Sequence, residues 1–123
     1  MTDANKISSN YVFYEVSLQI RAEIIFEFDE WLKDHVQAML ELPGFISASV
    51  NIPDKTMREY QYRSVKFRLR SQQDLDNYFE LHAERLRGYA EARFARKFSA
   101  TRKVYLIPKD QALDAYAEQI AKD

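Results

Sequence analysis

Two periodicities alternate along this chain. From Tyr11 to Ile20 the period is two: Val12, Tyr14, Val16, Leu18 and Ile20 share one face, while Tyr11, Phe13, Glu15, Ser17 and Gln19 share the other. That pattern predicts a strand with one strongly apolar face. From Ala22 to Leu42 the period becomes helical, with Ile24, Phe28, Trp31 or Leu32, His35, Met39 and Leu42 at i, i+3/i+4, i+7 spacing. Pro43 and Gly44 end this helix, because proline cannot continue it and glycine tolerates the turn. Alternation returns over Phe45 to Ile52, with Ile46, Ala48, Val50 and Ile52 expected on the core side. A charged connection, Pro53 to Glu59, leads to a third strand over Tyr60 to Arg70. There Val65, Phe67 and Leu69 face the core, and Tyr60, Tyr62, Ser64, Lys66 and Arg68 face away.

Ser71 and Asp74 stand at the spacing of a capping box, with Asp in place of the usual Glu. The helix they open carries Leu75, Tyr78, Phe79, His82 and Leu86 on one stripe, and Gly88 is expected to break or kink it. A last strand spans Phe98 to Ile107, with Ala100, Val104 and Leu106 on the core side. After Pro108, Leu113, Tyr116, Ala117 and Ile120 line up as one face of a further helix. The order β-α-β-β-α-β joins two βαβ halves through a hairpin. Right-handed crossovers then place both helices on one face of the sheet. The expected fold class is therefore α+β: a ferredoxin-like, four-stranded antiparallel sheet with helices on one face plus a C-terminal helix. Residues 1–10 read as a disordered tail, 11–107 as the single domain and 108–123 as the C-terminal helix.

This topology leaves one sheet face without helices of its own. Tyr11, Phe13, Tyr60, Tyr62 and Tyr105 fall there, more aromatic area than a monomer ordinarily exposes. A second copy, packed sheet to sheet about a two-fold axis, is the expected cover, so these five residues are the candidate dimer interface. RNA-recognition folds also present aromatics on a sheet face. Against that reading, the third strand lacks the glycine of their strand motif and net charge is only −1, so no nucleic-acid partner is expected.

Composition narrows the picture further. With 46% hydrophobic residues, eight Phe and eight Tyr in 123 residues, the chain can bury a real core without staples. The absence of cysteine removes disulfides, thiolate metal sites and a cysteine nucleophile. No run near 18 apolar residues predicts a membrane span, and the polar N-terminus lacks a signal-peptide core. A cytoplasmic protein is the expectation.

Candidate chemistry centres on the only two histidines, His35 and His82, both expected on helix faces that pack on the sheet. Trp31 lies one turn before His35, and Tyr78 one turn before His82. These four side chains could line a pocket for an aromatic or acyl ligand; a satisfied boundary histidine is the plainer alternative. Arg102 falls on the core side of the last strand, where it should pair with a carboxylate or helix terminus, ligand binding being its second role. The basic run from Arg85 to Lys103, broken by Glu91, reads as a solvated face. Two histidines without cysteine or HExxH spacing define no metal site. With two glycines, neither a nucleophile elbow nor a phosphate loop can be built, and no cofactor is implied.

Several short motifs together carry a resemblance. They are Trp31-Leu32-x2-His35-Val36, Leu42-Pro43-Gly44-Phe45, Tyr60-Gln61-Tyr62, Tyr78-x3-His82-Ala83-x2-Leu86-Arg87 and Phe98-x3-Arg102. Over residues 11–107 the chain resembles a small bacterial family of unknown function in the dimeric α/β-barrel (ferredoxin-like) superfamily. The resemblance implies a homodimer whose two sheets form a barrel. Relatives in that superfamily include cofactor-free monooxygenases, haem-degrading enzymes and binding proteins, and His82 would loosely match the helix-borne histidine of the haem-degrading group. A small-molecule-binding dimer is thus the leading expectation. A small-molecule oxygenase or haem-binding enzyme and a ligand-free structural or regulatory dimer are its alternatives.

Overall fold

The computed structural model describes residues 10–55 and 57–108. Strand β1 (Asn10–Arg21) leads through a 3-10 turn (Ala22–Ile24) into helix α1 (Ile25–Leu40). Strands β2 (Phe45–Asn51) and β3 (Tyr60–Leu69) form the hairpin, α2 (Gln72–Leu81) and α3 (Ala83–Phe94) follow, and β4 (Phe98–Pro108) closes the sheet. The strand order is β2-β3-β1-β4 and every pairing is antiparallel, as the split βαβ reading requires. The 1–10 tail and the 108–123 helix lie outside the described residues, apart from Asn10 and Pro108, which pair with each other at the ends of β1 and β4.

The register places β1 at the centre of one apolar layer. Val12, Tyr14, Val16 and Leu18 stand beside Leu69, Phe67, Val65 and Arg63 of β3. On the other side they meet Leu106, Val104, Arg102 and Ala100 of β4. Against this layer α1 packs Phe28, Leu32, Val36 and Met39, while α2 and α3 supply Leu75, Tyr78, Ala83, Leu86 and Phe94. Arg63 stands where an apolar residue would be expected. Its guanidinium grips Asp29 of α1 in a two-pronged pair, Nε to Oδ1 at 3.0 Å and Nη2 to Oδ2 at 2.9 Å. Nη1 donates to the Tyr62 carbonyl at 2.8 Å, so all three nitrogens are engaged.

Three expectations are corrected. First, β2 carries a bulge between Phe45 and Ser47, so Phe45 enters the core and Ile46 is exposed. One extra residue on a strand reverses the facing of its neighbours, which simple alternation cannot register. Second, the expected helix from Ala22 divides: three residues form a tighter 3-10 turn before the α-helix proper begins at Ile25. Third, Gly88 does not break its helix. The break falls at His82 (φ −133, ψ −27), and α3 runs through Gly88 unbroken. The cause lies in the buried stripe, which reads Leu75 and Tyr78, then Ala83, Leu86, Ala90 and Phe94. The five-residue step from Tyr78 to Ala83 exceeds one helical turn, so the chain resets there and Ala83 takes the inward position expected of His82.

The Ser71 cap forms as expected. Ser71 Oγ accepts from the Asp74 amide at 3.2 Å and donates to Asp74 Oδ2 at 2.7 Å. Arg70 clasps the same carboxylate through Nε and Nη2, each at 3.1 Å.

Candidate functional site

Between α1, α3 and the sheet lies a cavity of about 180 Å³. Its floor comes from β1, β3 and β4, through Tyr14, Val16, Val65, Phe67, Phe98 and Ala100. Helix α1 contributes Phe28, Trp31, Leu32, His35 and Met39, and the second helical arm adds Tyr78, Arg87 and Ala90. Glu91, Ser99 and Arg102, all exposed residues, also border it and form its wet rim. The small side chains Ala90 and Ala100 leave the space that larger residues would fill.

The aromatic wall is continuous. Phe28 meets Trp31, Phe94 and Phe98 with ring centroids 5.4, 5.2 and 5.2 Å apart. Trp31 stacks on His35 at 4.6 Å, fixing the imidazole beside the indole as their one-turn spacing requires. Burial, followed by the positive charge of Arg102, lowers the His35 pKa to about 4, so the ring is neutral at physiological pH. Burial, followed by the neighbouring Tyr14 hydroxyl, raises the Tyr78 pKa to about 12, which keeps that phenol protonated. Arg87 Nη2 donates to the Tyr14 hydroxyl at 3.2 Å. Its Nε is buried and has no hydrogen-bond partner among the described residues.

Four of the five residues expected to bind a ligand therefore meet at one cavity: Trp31, His35, Tyr78 and Arg102. His82 does not. It caps the junction of α2 and α3, where Arg85 Nη2 lies 3.1 Å from its Nδ1 on the exposed side. The expected carboxylate partner of Arg102 is likewise not found among the described residues, and no ion pair involves Arg87 there either. Arg87 is the participant that sequence reasoning missed, because it is hidden in the basic run read as a solvated face. The available signal was its place one turn from Ala83 and from Ala90, at i+4 and i−3.

The opposite sheet face carries the five candidate interface aromatics. Phe13 stacks on Tyr105 at 5.5 Å and 8°. Tyr62, expected to be open on this face, is buried, with Lys55 Nζ 4.5 Å from its ring centre. Arg21 similarly covers Tyr60 at 5.5 Å, and Arg68 covers Tyr11 at 4.7 Å. Long cationic side chains thus shield part of the aromatic surface within one chain. No helix among the described residues is long and apolar enough to cross a membrane. Among those residues no group of three or more His, Cys, Asp or Glu side chains is placed to hold a metal ion.

A four-stranded antiparallel sheet of order β2-β3-β1-β4 with its helices on one face is a ferredoxin-like α+β fold. Within it, the chain belongs to the family described as Domain of unknown function (DUF4286), whose model matches residues 11–107. Among curated protein sequences none matches it significantly. Solved structures share the fold at low identity. A conserved protein from Methanosarcina mazei superposes with a TM-score of 0.62 at 14% identity, covering 82% of this chain and 96% of its own. SnoaB, a cofactor-independent oxygenase from Streptomyces nogalater, gives 0.59 at 11%, covering 78% and 91% respectively. A protein from Nitrosomonas europaea, named by inference as an antibiotic biosynthesis monooxygenase, gives 0.59 at 12%, covering 82% and 90%.

Proposed function

We propose that this chain is a small-molecule-binding protein that works in the cytoplasm as a homodimer, with its ligand seated between α1, α3 and the sheet. The cavity itself carries the reading: a space of about 180 Å³ with aromatic walls and a few convergent polar groups. Its test is the emission of Trp31, the only tryptophan, which lies in the wall. Toluene, small enough for such a space, should perturb that emission saturably, and Ala90→Leu, which fills the cavity, should abolish the response. Wild-type protein that ignores toluene and other single-ring probes leaves the ligand-free structural dimer as the reading. The homodimer is supported by the fold and by the Phe13–Tyr105 face, which has no helix over it among the described residues. Equilibrium sedimentation should give twice the chain mass; a monomer at micromolar concentration refutes the dimer.

A second reading, cofactor-independent oxygenation of the bound molecule, is favoured by the likeness to SnoaB and by the neutral imidazole of His35 in the cavity wall. Oxygen uptake on adding a ligand found by the Trp31 assay would support it; ligand recovered unchanged in air removes it. The haem-binding variant fits poorly. His82 faces away from the cavity, and a space suited to one small ring does not accept a tetrapyrrole. Haemin should give no Soret shift that depends on His82.

A further inference from the structure

Two guanidiniums border the cavity, and neither is paired with Glu91, the carboxylate at its rim. Arg87 and Arg102 reach it from α3 and β4, and among the described residues neither forms an ion pair. Elsewhere this chain pairs its inward or helix-capping arginines closely, Arg63 with Asp29 and Arg70 with Asp74. Arg87 departs from that habit most clearly, since its buried Nε has no acceptor among the described residues and its other nitrogens meet only neutral phenols there, Tyr14 and Tyr78. A cation withdrawn from water requires an anion or several acceptors. The cavity holds the room for one.

Resting on the small-molecule reading above, we infer that the ligand is a compact aromatic carboxylate, one ring bearing an acid group, with its carboxylate held by Arg87 and Arg102. Size sets the ring count: an apolar protein cavity of about 150 Å³ holds benzene, and this one encloses about 180 Å³. Shape and surface set the ring type. Phe28, Trp31 and Phe98 present a continuous aromatic wall on which a planar ring gains offset or edge contacts. Charge sets the functional group, because guanidinium forks match carboxylate oxygens in a plane. Tyr78, protonated and hydrogen-bonded to Tyr14, adds no negative charge to repel the acid, and neutral His35 adds no competing cation.

Benzoate and benzyl alcohol, nearly equal in size and differing in charge, are the probes, titrated against the full chain by Trp31 emission and calorimetry. Benzoate should bind at least about 10-fold more tightly, as a charge-assisted fork exceeds a neutral hydrogen bond. Arg102→Gln, at the exposed rim, should weaken benzoate and so remove most of that preference, with a smaller effect on benzyl alcohol. Arg87→Gln should do the same, and Arg87→Lys should restore part of it; should Arg87→Gln fail to fold, the Arg102 and Arg87→Lys variants still decide. Benzyl alcohol binding as tightly as benzoate, or a preference indifferent to both arginines, overturns the acid anchor while the cavity reading stands. Wild-type protein that binds neither probe, nor toluene, overturns both.

Discussion

The two glycines of this chain carry opposite costs. Gly44 has φ +85, and a Cβ there would collide with the Asp74 carboxyl, which Ser71 and Arg70 hold in place. Its carbonyl also accepts from the Arg70 amide at 2.8 Å, tying the turn after α1 to the end of β3. Left-handed backbone alone costs a non-glycine residue about 1–2 kcal/mol. Gly44→Ala should therefore destabilise by at least about 2 kcal/mol in urea melts once the collision is added. Gly88 is the reverse case: it lies mid-helix, and a methyl group on its Cα would meet nothing within 4 Å. Gly88→Ala should raise stability by about 0.5–1 kcal/mol by lowering the backbone entropy lost on folding. A Gly88→Ala protein less stable than wild type would mean that α3 needs flexibility there.

His35 makes a second prediction at this scale. Its folded pKa of about 4 lies below the 6.5 of an unfolded imidazole, so between those values the unfolded chain binds the extra proton. Stability is fully present above pH 6.5, falls as pH drops through the window and levels off below about 4. The whole excursion amounts to roughly 3 kcal/mol at about 1.36 kcal/mol per pKa unit. Wild type minus His35→Leu, followed by chemical denaturation from about pH 7.5 to 4, should isolate this slope from that of the carboxylates. Parallel curves would place the imidazole in water.

At the scale of elements, helix attachment rests on one polar clamp as well as on apolar stripes. Arg63 is buried and Asp29 partly open, so Asp29→Ala should cost about 2 kcal/mol, less than the roughly 3–5 of a fully buried pair. Arg63→Met with Asp29→Ala should recover much of that loss, since no charge then remains buried; a double variant no better than the single would contradict the clamp. Much of this level was legible in the sequence. Alternation at Val12–Ile20 and the stripe Phe28–Leu32–Met39 defined the strands and α1, because long periodic segments average over local exceptions. The exceptions were not legible. The bulge at Ile46 and the reset at His82 each displace a stripe by a single residue without altering composition. That reset turns His82 out and Arg87 toward the cavity, so four of five expected site residues meet there while Arg87 was missed. Arg63 was equally hidden, an arginine in a core position that only its partner on α1 explains.

For the whole molecule, the uneven cover of the sheet shows along β4, the edge strand. Val104 and Leu106 stand on the helix side of the sheet opposite Tyr14 and Val12, yet they remain 42% and 54% exposed. The cause is geometric: α3 ends at Phe94 over the Phe98–Ala100 end of the strand, leaving its other end without a helix among the described residues. The chain leaves β4 at Pro108, two residues past Leu106, and continues for 15 residues whose apolar positions include Leu113, Tyr116, Ala117 and Ile120. In the helix that their spacing predicts, these positions would offer the uncovered strip an apolar cover. Covering half of two aliphatic side chains is worth about 1–2 kcal/mol in all. Deleting residues 109–123 should accordingly lower Tm by roughly 4–16 °C, since 1 kcal/mol corresponds to about 4–8 °C for domains near 100 residues. Val104→Thr with Leu106→Thr should give a similar loss in the full-length chain and almost none in the truncated one, the non-additivity expected of groups in contact. An unchanged Tm on truncation would instead leave the β4 strip open to a different cover, and the two threonine substitutions would then cost the same in both backgrounds.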